Sequence, residues 1–198
     1  MTSTPIMHEA VVLLGRPGSG KGTLARRLER RLGHRHVDMG RLLRERAEVD
    51  DPIGRRIAIA QARGLMVPKD AVMETLVVHL AHLPLDLPLI LDGFPRTTVQ
   101  VAAADDGRVP VEVTVALWLD VPEEEARRRL RDRARRGSRA DDGVGVVDAR
   151  MGLVQETVDA VRALYERRGM LETVDGRGSP EEVYQRALAC LEPLALAH

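Results

Sequence analysis

The sequence predicts an α/β domain in which helices cover both faces of a five-stranded parallel sheet. Short apolar runs alternate with longer segments of helical periodicity, and this alternation is typical of parallel strands joined by right-handed helical crossovers. The first apolar run, Val11–Leu14, is continuous rather than alternating, which indicates a strand buried on both faces. The length of 198 residues suits one domain with a core of good size. These observations predict a three-layer α/β fold.

Five short runs supply the predicted strands: Ala10–Leu14, His36–Asp38, Leu87–Leu91, Val113–Leu119 and Met170–Val174. The segments between and after them repeat apolar residues every three to four positions, which predicts helices. We place these helices at Gly22–Leu32, Gly40–Ala47, Ile53–Arg63, Asp70–Leu83, Glu123–Arg135, Val146–Arg168 and Pro180–Leu194.

Charge and cysteine content exclude several classes of protein. The 30 basic and 30 acidic residues give a formal net charge of zero, which argues against bulk binding to nucleic acid or anionic membranes. The single cysteine, Cys190, excludes an internal disulfide and a cysteine-bound zinc. The apolar runs are far shorter than the ~20 residues that span a bilayer, and the start of the chain lacks the pattern of a signal peptide. We therefore expect a cytoplasmic protein that binds neither nucleic acid nor membrane. Because the sequence shows no long heptad pattern or plainly apolar exposed face, we expect a monomer.

The strongest functional signal is a glycine-rich segment, Gly15-Arg-Pro-Gly-Ser-Gly-Lys-Gly-Thr23, between the first strand and the first helix. Its glycines let successive backbone N–H groups turn inward and cradle phosphate oxygens, and the helix N-terminus adds partial positive charge. The segment has the spacing of a P-loop, in which Lys21 reaches the β- and γ-phosphates of a nucleotide. Gly22 stands where Ser or Thr usually binds Mg²⁺, and Thr23 is better placed for the α-phosphate.

A second signal begins in the third predicted strand, in Leu89-Ile-Leu-Asp92-Gly-Phe-Pro-Arg96-Thr97. Open α/β sheets bind their ligands at the carboxyl ends of the strands. Asp92 is therefore placed to hold a hydrated Mg²⁺, and Arg96 is placed to present a bidentate fork to a phosphate.

Together, Gly-x-Pro-Gly-Ser-Gly-Lys-Gly-Thr and Asp-Gly-Phe-Pro-Arg-Thr-x-x-Gln resemble the adenylate kinase family of nucleoside monophosphate kinases. The resemblance continues through Gly64–Pro68, Leu119–Pro122, Arg139–Asp142 and Val174–Gly176, in family order and over nearly the whole chain. It implies a P-loop NTPase fold and an ATP-dependent phosphotransferase that moves the γ-phosphoryl group of MgATP to a nucleoside monophosphate, with AMP as the expected acceptor. The expected cofactors are ATP and Mg²⁺.

The resemblance also implies roles for individual residues. On the ATP side it implies nucleotide contacts from Gly18, Ser19, Gly20, Lys21, Gly22, Thr23, Arg129 and Arg133, with Arg129 packed on the adenine. On the acceptor side it implies contacts from Asp38, Met39, Gly40, Arg44, Val67, Gly93, Arg96, Gln100, Arg139 and Arg150, with Gln100 reading the base. It assigns catalysis to Lys21, Arg96, Arg133, Arg139 and Arg150, while Asp92 orients water on Mg²⁺. A ring of arginines suits phosphoryl transfer, which needs positioning and charge neutralisation.

The resemblance divides a single P-loop kinase domain, residues 1–198, into three parts. The core covers 8–39, 84–134 and 146–198, a helical acceptor-binding insertion covers about 40–83, and a short lid covers about 135–145. Asp141 and Asp142 would organise the lid. Because the lid lacks cysteines, no structural zinc is implied.

The acceptor side departs from the family pattern. Asp38-Met39-Gly40-Arg41 replaces the usual Ser-Thr-Gly-Asp, so that Met39 removes a hydroxyl that helps position the acceptor and adds bulk. Acidic residues are frequent in and after this segment, and we interpret them as a solvated helix end and loop. The alternative is a pocket for a cationic acceptor. The residues in question are Asp38, Glu45, Glu48, Asp50 and Asp51.

Two other functions stay open at this point. One is an adenylate-kinase-like enzyme that phosphorylates a hydroxyl of a non-nucleotide metabolite, such as an aminoglycoside or amino sugar. That reaction needs a general base, and Asp38 is the nearest candidate. The other is a nucleotide-binding regulatory module without catalysis, although binding alone does not require so many arginines.

The histidines give no functional signal. His34 and His36 flank a short predicted strand but lack a third ligand, and the six histidines show no spacing of a metalloenzyme or a catalytic triad. We therefore expect His34 and His36 on the surface.

Overall fold

The computed structural model describes residues 7–135 and 144–195. The strands are β1 (His8–Leu14), β2 (Arg35–Asp38), β3 (Leu89–Asp92), β4 (Val111–Asp120) and β5 (Leu171–Asp175). The helices are α1 (Lys21–Leu32), α2 (Met39–Ala47), α3 (Pro52–Ala62), α4 (Lys69–Leu80), α5 (Thr98–Asp105), α6 (Glu123–Arg135), α7 (Val144–Arg167) and α8 (Pro180–Ala195). The strands of this part of the chain form a five-stranded parallel sheet in the order β2-β3-β1-β4-β5, which confirms the predicted fold class.

Every predicted strand and helix occurs, with bounds that differ by a few residues at most. One helix, α5, has no counterpart among the predicted elements. It is eight residues long, and its buried face consists mainly of the small residues Val101, Ala103 and Ala104, so its apolar periodicity is weak. The helix begins where the Thr97 hydroxyl accepts a hydrogen bond from the backbone N–H of Gln100 (3.3 Å). Within the described ranges, no helix has the length and apolarity needed to cross a bilayer.

The helices on the two faces of the sheet leave a crevice at the carboxyl ends of β1 and β3. Alternate residues of β1 point to opposite faces: Val12 packs with α2, α4, α5 and α7, whereas Val11 packs with α1 and α8. The helix after β1 therefore lies on one face and the helix after β3 on the other, although β1 and β3 are neighbours. Such a divergence opens a ligand-binding crevice in α/β sheets. Both sequence motifs lie at this edge of the sheet, because the glycine-rich segment follows β1 and Asp92 is the last residue of β3.

The helices α2, α3 and α4 form the segment predicted as a helical insertion. Asp51 caps the start of α3 by accepting hydrogen bonds from two backbone N–H groups and also pairs with Arg46 of α2 (2.7 Å). Arg56 of α3 makes a two-pronged ion pair with Asp70 of α4 (2.8 and 2.9 Å). Both pairs are partly exposed, so each fixes relative orientation more than it adds stability.

Candidate active site at the carboxyl ends of the strands

The glycine-rich loop forms a tight turn between β1 and α1. Gly15, Gly18 and Gly20 have positive φ angles, a region that side chains rarely adopt. Gly18 is also pressed against α6, because a Cβ atom there would lie 2.3 Å from the carbonyl oxygen of Ala126. Glycine is therefore required at position 18 by both conformation and space. The loop holds its shape by packing on α6 as well as by its own turn.

Lys21, the first residue of α1, folds back over the loop. Its Nζ donates hydrogen bonds to the carbonyl oxygens of Gly15 (2.7 Å) and Arg16 (2.9 Å). Burial lowers the pKa of Lys21 to about 8; Asp92 opposes this shift, whereas Arg96 and Arg133 add to it. The loop after β1, the end of β3, the turn that follows β3, and α6 thus each contribute a group that acts on the Lys21 ammonium. The resemblance gives a role to each of the residues involved, namely Lys21, Asp92, Arg96 and Arg133.

Asp92 ends β3 with its side chain mostly buried, 15% exposed. Burial by itself would raise the pKa of this carboxyl, but interaction with His36 and the charges of Lys21 and Arg96 hold the pKa below its usual value. The carboxylate is therefore ionised at neutral pH. A Cβ atom on Gly22 would lie 3.2 Å from Oδ2 of Asp92, so the carboxylate crowds the place of a Ser or Thr side chain.

His36 is the main residue that sequence reasoning misplaced. Its side chain is 8% exposed rather than on the surface, and its Nε2 lies 3.7 Å from Oδ2 of Asp92. In the parallel register of β2 and β3, His36 pairs with Ile90 and Asp38 pairs with Asp92, so His36 and Asp92 face the same side of the sheet. The sequence signal for this placement was the alternation of side chains along β2, which puts His36 on the same face of the strand as Asp38 at its end. His34 is less deeply buried and contacts the backbone of Leu32.

The acceptor-side motif brings Arg96 back over its own turn. Gly93 has a φ of +91°, and a Cβ atom there would lie 3.0 Å from Nη2 of Arg96 and 3.4 Å from Cβ of Met39. The buried Gln100 accepts a hydrogen bond from the backbone N–H of Arg96 through Oε1 (2.7 Å). That bond ties the turn to α5. It commits one end of the side chain that is predicted to read the acceptor base.

Asp38, Gly40 and Arg44 lie together at the start of α2. Oδ1 of Asp38 accepts a hydrogen bond from the backbone N–H of Arg41 (3.0 Å) and so caps the helix. A Cβ atom on Gly40 would lie 3.2 Å from Oδ1 of Asp38 and 3.3 Å from Nη1 of Arg44. Met39 is 1% exposed and packs in the core, so its added bulk is directed inward. Val67, between α3 and α4, is half-buried against the same core.

Arginine partners account for most of the acidic residues near the acceptor side. Glu45 pairs with Arg41 (2.9 Å), and Asp50 pairs with Arg55 (2.6 Å). Asp51 is the helix cap described above. These carboxylates are occupied locally, which agrees with a solvated helix end and loop and gives no support to a pocket for a cationic acceptor.

Arg129 of α6 connects the glycine loop to the loop that follows β5. Its guanidinium donates hydrogen bonds to the carbonyl oxygens of Ser19 (3.2 Å) and Gly176 (3.1 Å) and also pairs with Glu125 (2.5 Å). Arg128, one residue earlier, is 66% exposed, and its guanidinium lies 3.8 Å from Glu125. The geometry therefore separates Arg129 from its neighbours, a distinction that composition does not provide.

Four of the residues to which the resemblance gives a role lie wholly or partly outside the described part of the chain. Arg139, Asp141 and Asp142 lie outside the described residues. The backbone of Arg150 lies in α7, and its side chain is outside the described part. Within it, Ser19 is buried in the glycine loop, Gly20 precedes α1, and Thr23 is exposed in the first turn of that helix.

A family model of adenylate kinase matches residues 13–170. An adenylate kinase of Thermus thermophilus is 38% identical over 185 residues, which cover 92% of this chain and 97% of the relative. An adenylate kinase of Xanthomonas euvesicatoria is 36% identical over 178 residues, which cover 89% of this chain and 95% of the relative. An adenylate kinase of Thermobifida fusca is 35% identical over 187 residues, which cover 93% of this chain and 99% of the relative.

Proposed function

The chain belongs to the adenylate kinase family, and we propose that it transfers the γ-phosphoryl group of MgATP to AMP to give two molecules of ADP. The observation that carries this proposal is the convergence of Lys21, Asp92, Arg96 and Arg133 beside the glycine loop. The charges of one carboxylate and two guanidinium groups act on Lys21 there, and such a gathering of cations suits a reaction that collects phosphate charge and needs no covalent enzyme intermediate.

On the ATP side, we infer that the backbone N–H groups from Gly18 to Thr23 hold the phosphates. Lys21 would exchange its contacts with the carbonyl oxygens of Gly15 and Arg16 for contacts with the β- and γ-phosphates. Arg129 lies between the glycine loop and Gly176, where its guanidinium plane is available to an adenine ring. We infer that Arg133, whose charge acts on Lys21, joins it on the transferred group.

Asp92 fits the Mg²⁺ of MgATP as a ligand acting through water. Mg²⁺ keeps several waters and takes few protein carboxylates when it accompanies a nucleotide. The described residues contain no group of three acidic, histidine or cysteine side chains able to hold a metal on their own, so phosphate oxygens would complete the shell. When bound, the ion neutralises charge that develops on the phosphoryl oxygens.

On the acceptor side, we infer that Arg44 and Arg96 hold the AMP phosphate and that Gln100 contacts the base. The remaining contacts would come from the segment around Met39 and Gly40, from Val67 and from Gly93, and the lid would contribute Arg139 and Arg150. The division into core, insertion and lid rests on the same reasoning. A cytoplasmic monomer stays a prediction.

The alternative with a non-nucleotide acceptor finds no supporting observation. It requires Asp38 as a general base, yet Oδ1 of Asp38 caps α2. The relatives that match most of the chain are adenylate kinases. Retention of Arg44, Arg96 and Arg133 together argues against a binding module without catalysis.

Phosphorus NMR of the protein with MgATP and AMP tests the proposal. We expect ADP from both nucleotides, a large loss in Lys21→Ala, and wild-type conversion in Lys69→Ala. Lys69 is the matched control because it is the only other lysine and is exposed at the start of α4. Absence of AMP-dependent ADP formation by the wild-type protein would overturn the proposal.

A further inference from the structure

His36 contributes a buried polar group whose role is not explained by the proposed reaction. Its Nε2 is buried and has no hydrogen-bond partner within the described residues. Leaving a buried polar atom without a partner is costly, so a partner is expected in the functional state. The nearest carboxylate atom is Oδ2 of Asp92, at 3.7 Å, just beyond hydrogen-bond distance.

The backbone fixes the imidazole in this place. The N–H of His36 donates to Oε1 of Glu29 on α1 (3.1 Å), which anchors the edge strand β2 to the helix that carries Lys21. In the pairing of β2 with β3, His36 lies opposite Ile90, two residues before Asp92. The imidazole thus reaches Asp92 from a rigid framework rather than from a loop.

His36 and Gly22 both face the same oxygen of the Asp92 carboxylate. Oδ2 faces both Nε2 of His36 and the position at which a side chain of residue 22 would lie. An N–H group on Nε2 pointing at Oδ2 would hold the carboxylate plane in one orientation and leave Oδ1 for another partner. Outer partners of this kind orient carboxylates at metal sites.

We propose that His36 is a positioning residue that, with Nε2 protonated, orients the Asp92 carboxylate toward a water of the nucleotide-bound Mg²⁺. The inference rests on the proposed function, since it assumes the role given there to Asp92. His36 contacts neither nucleotide and acts only through Asp92. Its side chain therefore affects metal binding to the protein–ATP complex and leaves metal-free ATP binding unchanged.

Two variants of equal length test the inference: His36→Gln keeps an N–H donor, whereas His36→Met does not. The probe is Mn²⁺ in place of Mg²⁺, and its affinity for the protein–ATP complex is measured by electron paramagnetic resonance. We expect H36M to weaken Mn²⁺ binding about 10-fold or more and H36Q to stay within about 2-fold of the wild type. His82→Leu, at an exposed histidine beyond α4, is the control and should bind Mn²⁺ like the wild type.

Urea unfolding of each variant separates positioning from stability. Wild-type Mn²⁺ affinity in folded H36M would overturn the inference, as would equal weakening in H36Q and H36M. If H36M does not fold, His36→Leu replaces it, and the same comparison with H36Q applies. The readout is independent of turnover: a wild type that makes no ADP would refute the proposed function, whereas normal ADP formation with unaltered Mn²⁺ binding in H36M would refute the role of His36 alone.

Discussion

The carboxylate of Asp92 lies against the backbone of Gly22, so that a Cβ atom on Gly22 would be 3.2 Å from Oδ2. The two residues arrive from different elements, Gly22 in the first turn of α1 and Asp92 at the end of β3. Close-packed interiors leave little freedom for such a contact to open. A Ser or Thr at position 22, the usual residue of a P-loop, would therefore require the carboxylate from the neighbouring strand to shift by a few tenths of an ångström.

Gly22→Ser should lower activity without unfolding the protein. The new side chain would displace Asp92 by a few tenths of an ångström, and because catalysis depends on such positioning we expect kcat to fall about 10-fold. Stability should change by less than about 1 kcal/mol, since serine is a better helix former than glycine. Steady-state ADP formation and urea unfolding measure the two effects. Unchanged kcat would show that the carboxylate yields freely.

Gly18→Ala should destabilise the fold much more than Gly33→Ala. Both glycines have positive φ angles, +85° and +73°, so both variants carry backbone strain of about 1 kcal/mol. Only the Cβ of residue 18 meets another atom, the carbonyl oxygen of Ala126 at 2.3 Å, whereas the space around Gly33 is open. We expect a loss of about 3 kcal/mol or more for G18A in urea unfolding. Equal losses in the two variants would contradict the tight packing of α6 on the loop.

The sequence was sufficient for the fold because its signals are local. A continuous apolar strand, a glycine-rich turn and a helix follow one another within Ala10–Leu32, and each later strand is likewise followed by a helix. The helix that escaped prediction, α5, buries small side chains and is too short to show a clear period. A helix is recognised in a sequence by the spacing of its large apolar residues, and α5 has few of them.

Site residues could be predicted from the sequence only where they belong to a recognisable motif. Lys21 and Asp92 stand in motifs, and the structure places them together. His36 stands in no motif, and its proximity to Asp92 depends on the pairing of β2 with β3, which sequence spacing does not define. Arg128 and Arg129 look alike in the sequence, but only Arg129 reaches Ser19 and Gly176.

Arg129→Ala should weaken ATP binding and leave AMP binding unchanged. The variant loses the guanidinium that joins the glycine loop to Gly176 and that we propose to pack on the adenine. We expect KM for ATP to rise about 10-fold, as for the loss of a charge-assisted contact plus stacking, with KM for AMP within about 2-fold. Arg128→Ala is the matched control and should match the wild type, because Arg128 is 66% exposed. A parallel rise in both KM values would assign Arg129 a general structural role.

Lys21→Met should make the nucleotide-free protein more stable at neutral pH, with an advantage that disappears in alkali. Burial lowers the pKa of Lys21 from 10.5 to about 8 in the folded chain. Below pH 8 the lysine is charged in both states, and the folded state bears the full desolvation penalty. Between pH 8 and 10.5 the unfolded chain binds more protons than the folded one, so wild-type stability should rise through this window relative to the variant.

Urea unfolding of both proteins at pH 7 and pH 10 measures the difference in stability between the wild type and Lys21→Met. Saturating ATP should reverse the sign of that difference at pH 7, because phosphate oxygens favour the charged lysine. A stability difference that is the same at both pH values would mean that Lys21 has an ordinary pKa in the folded protein.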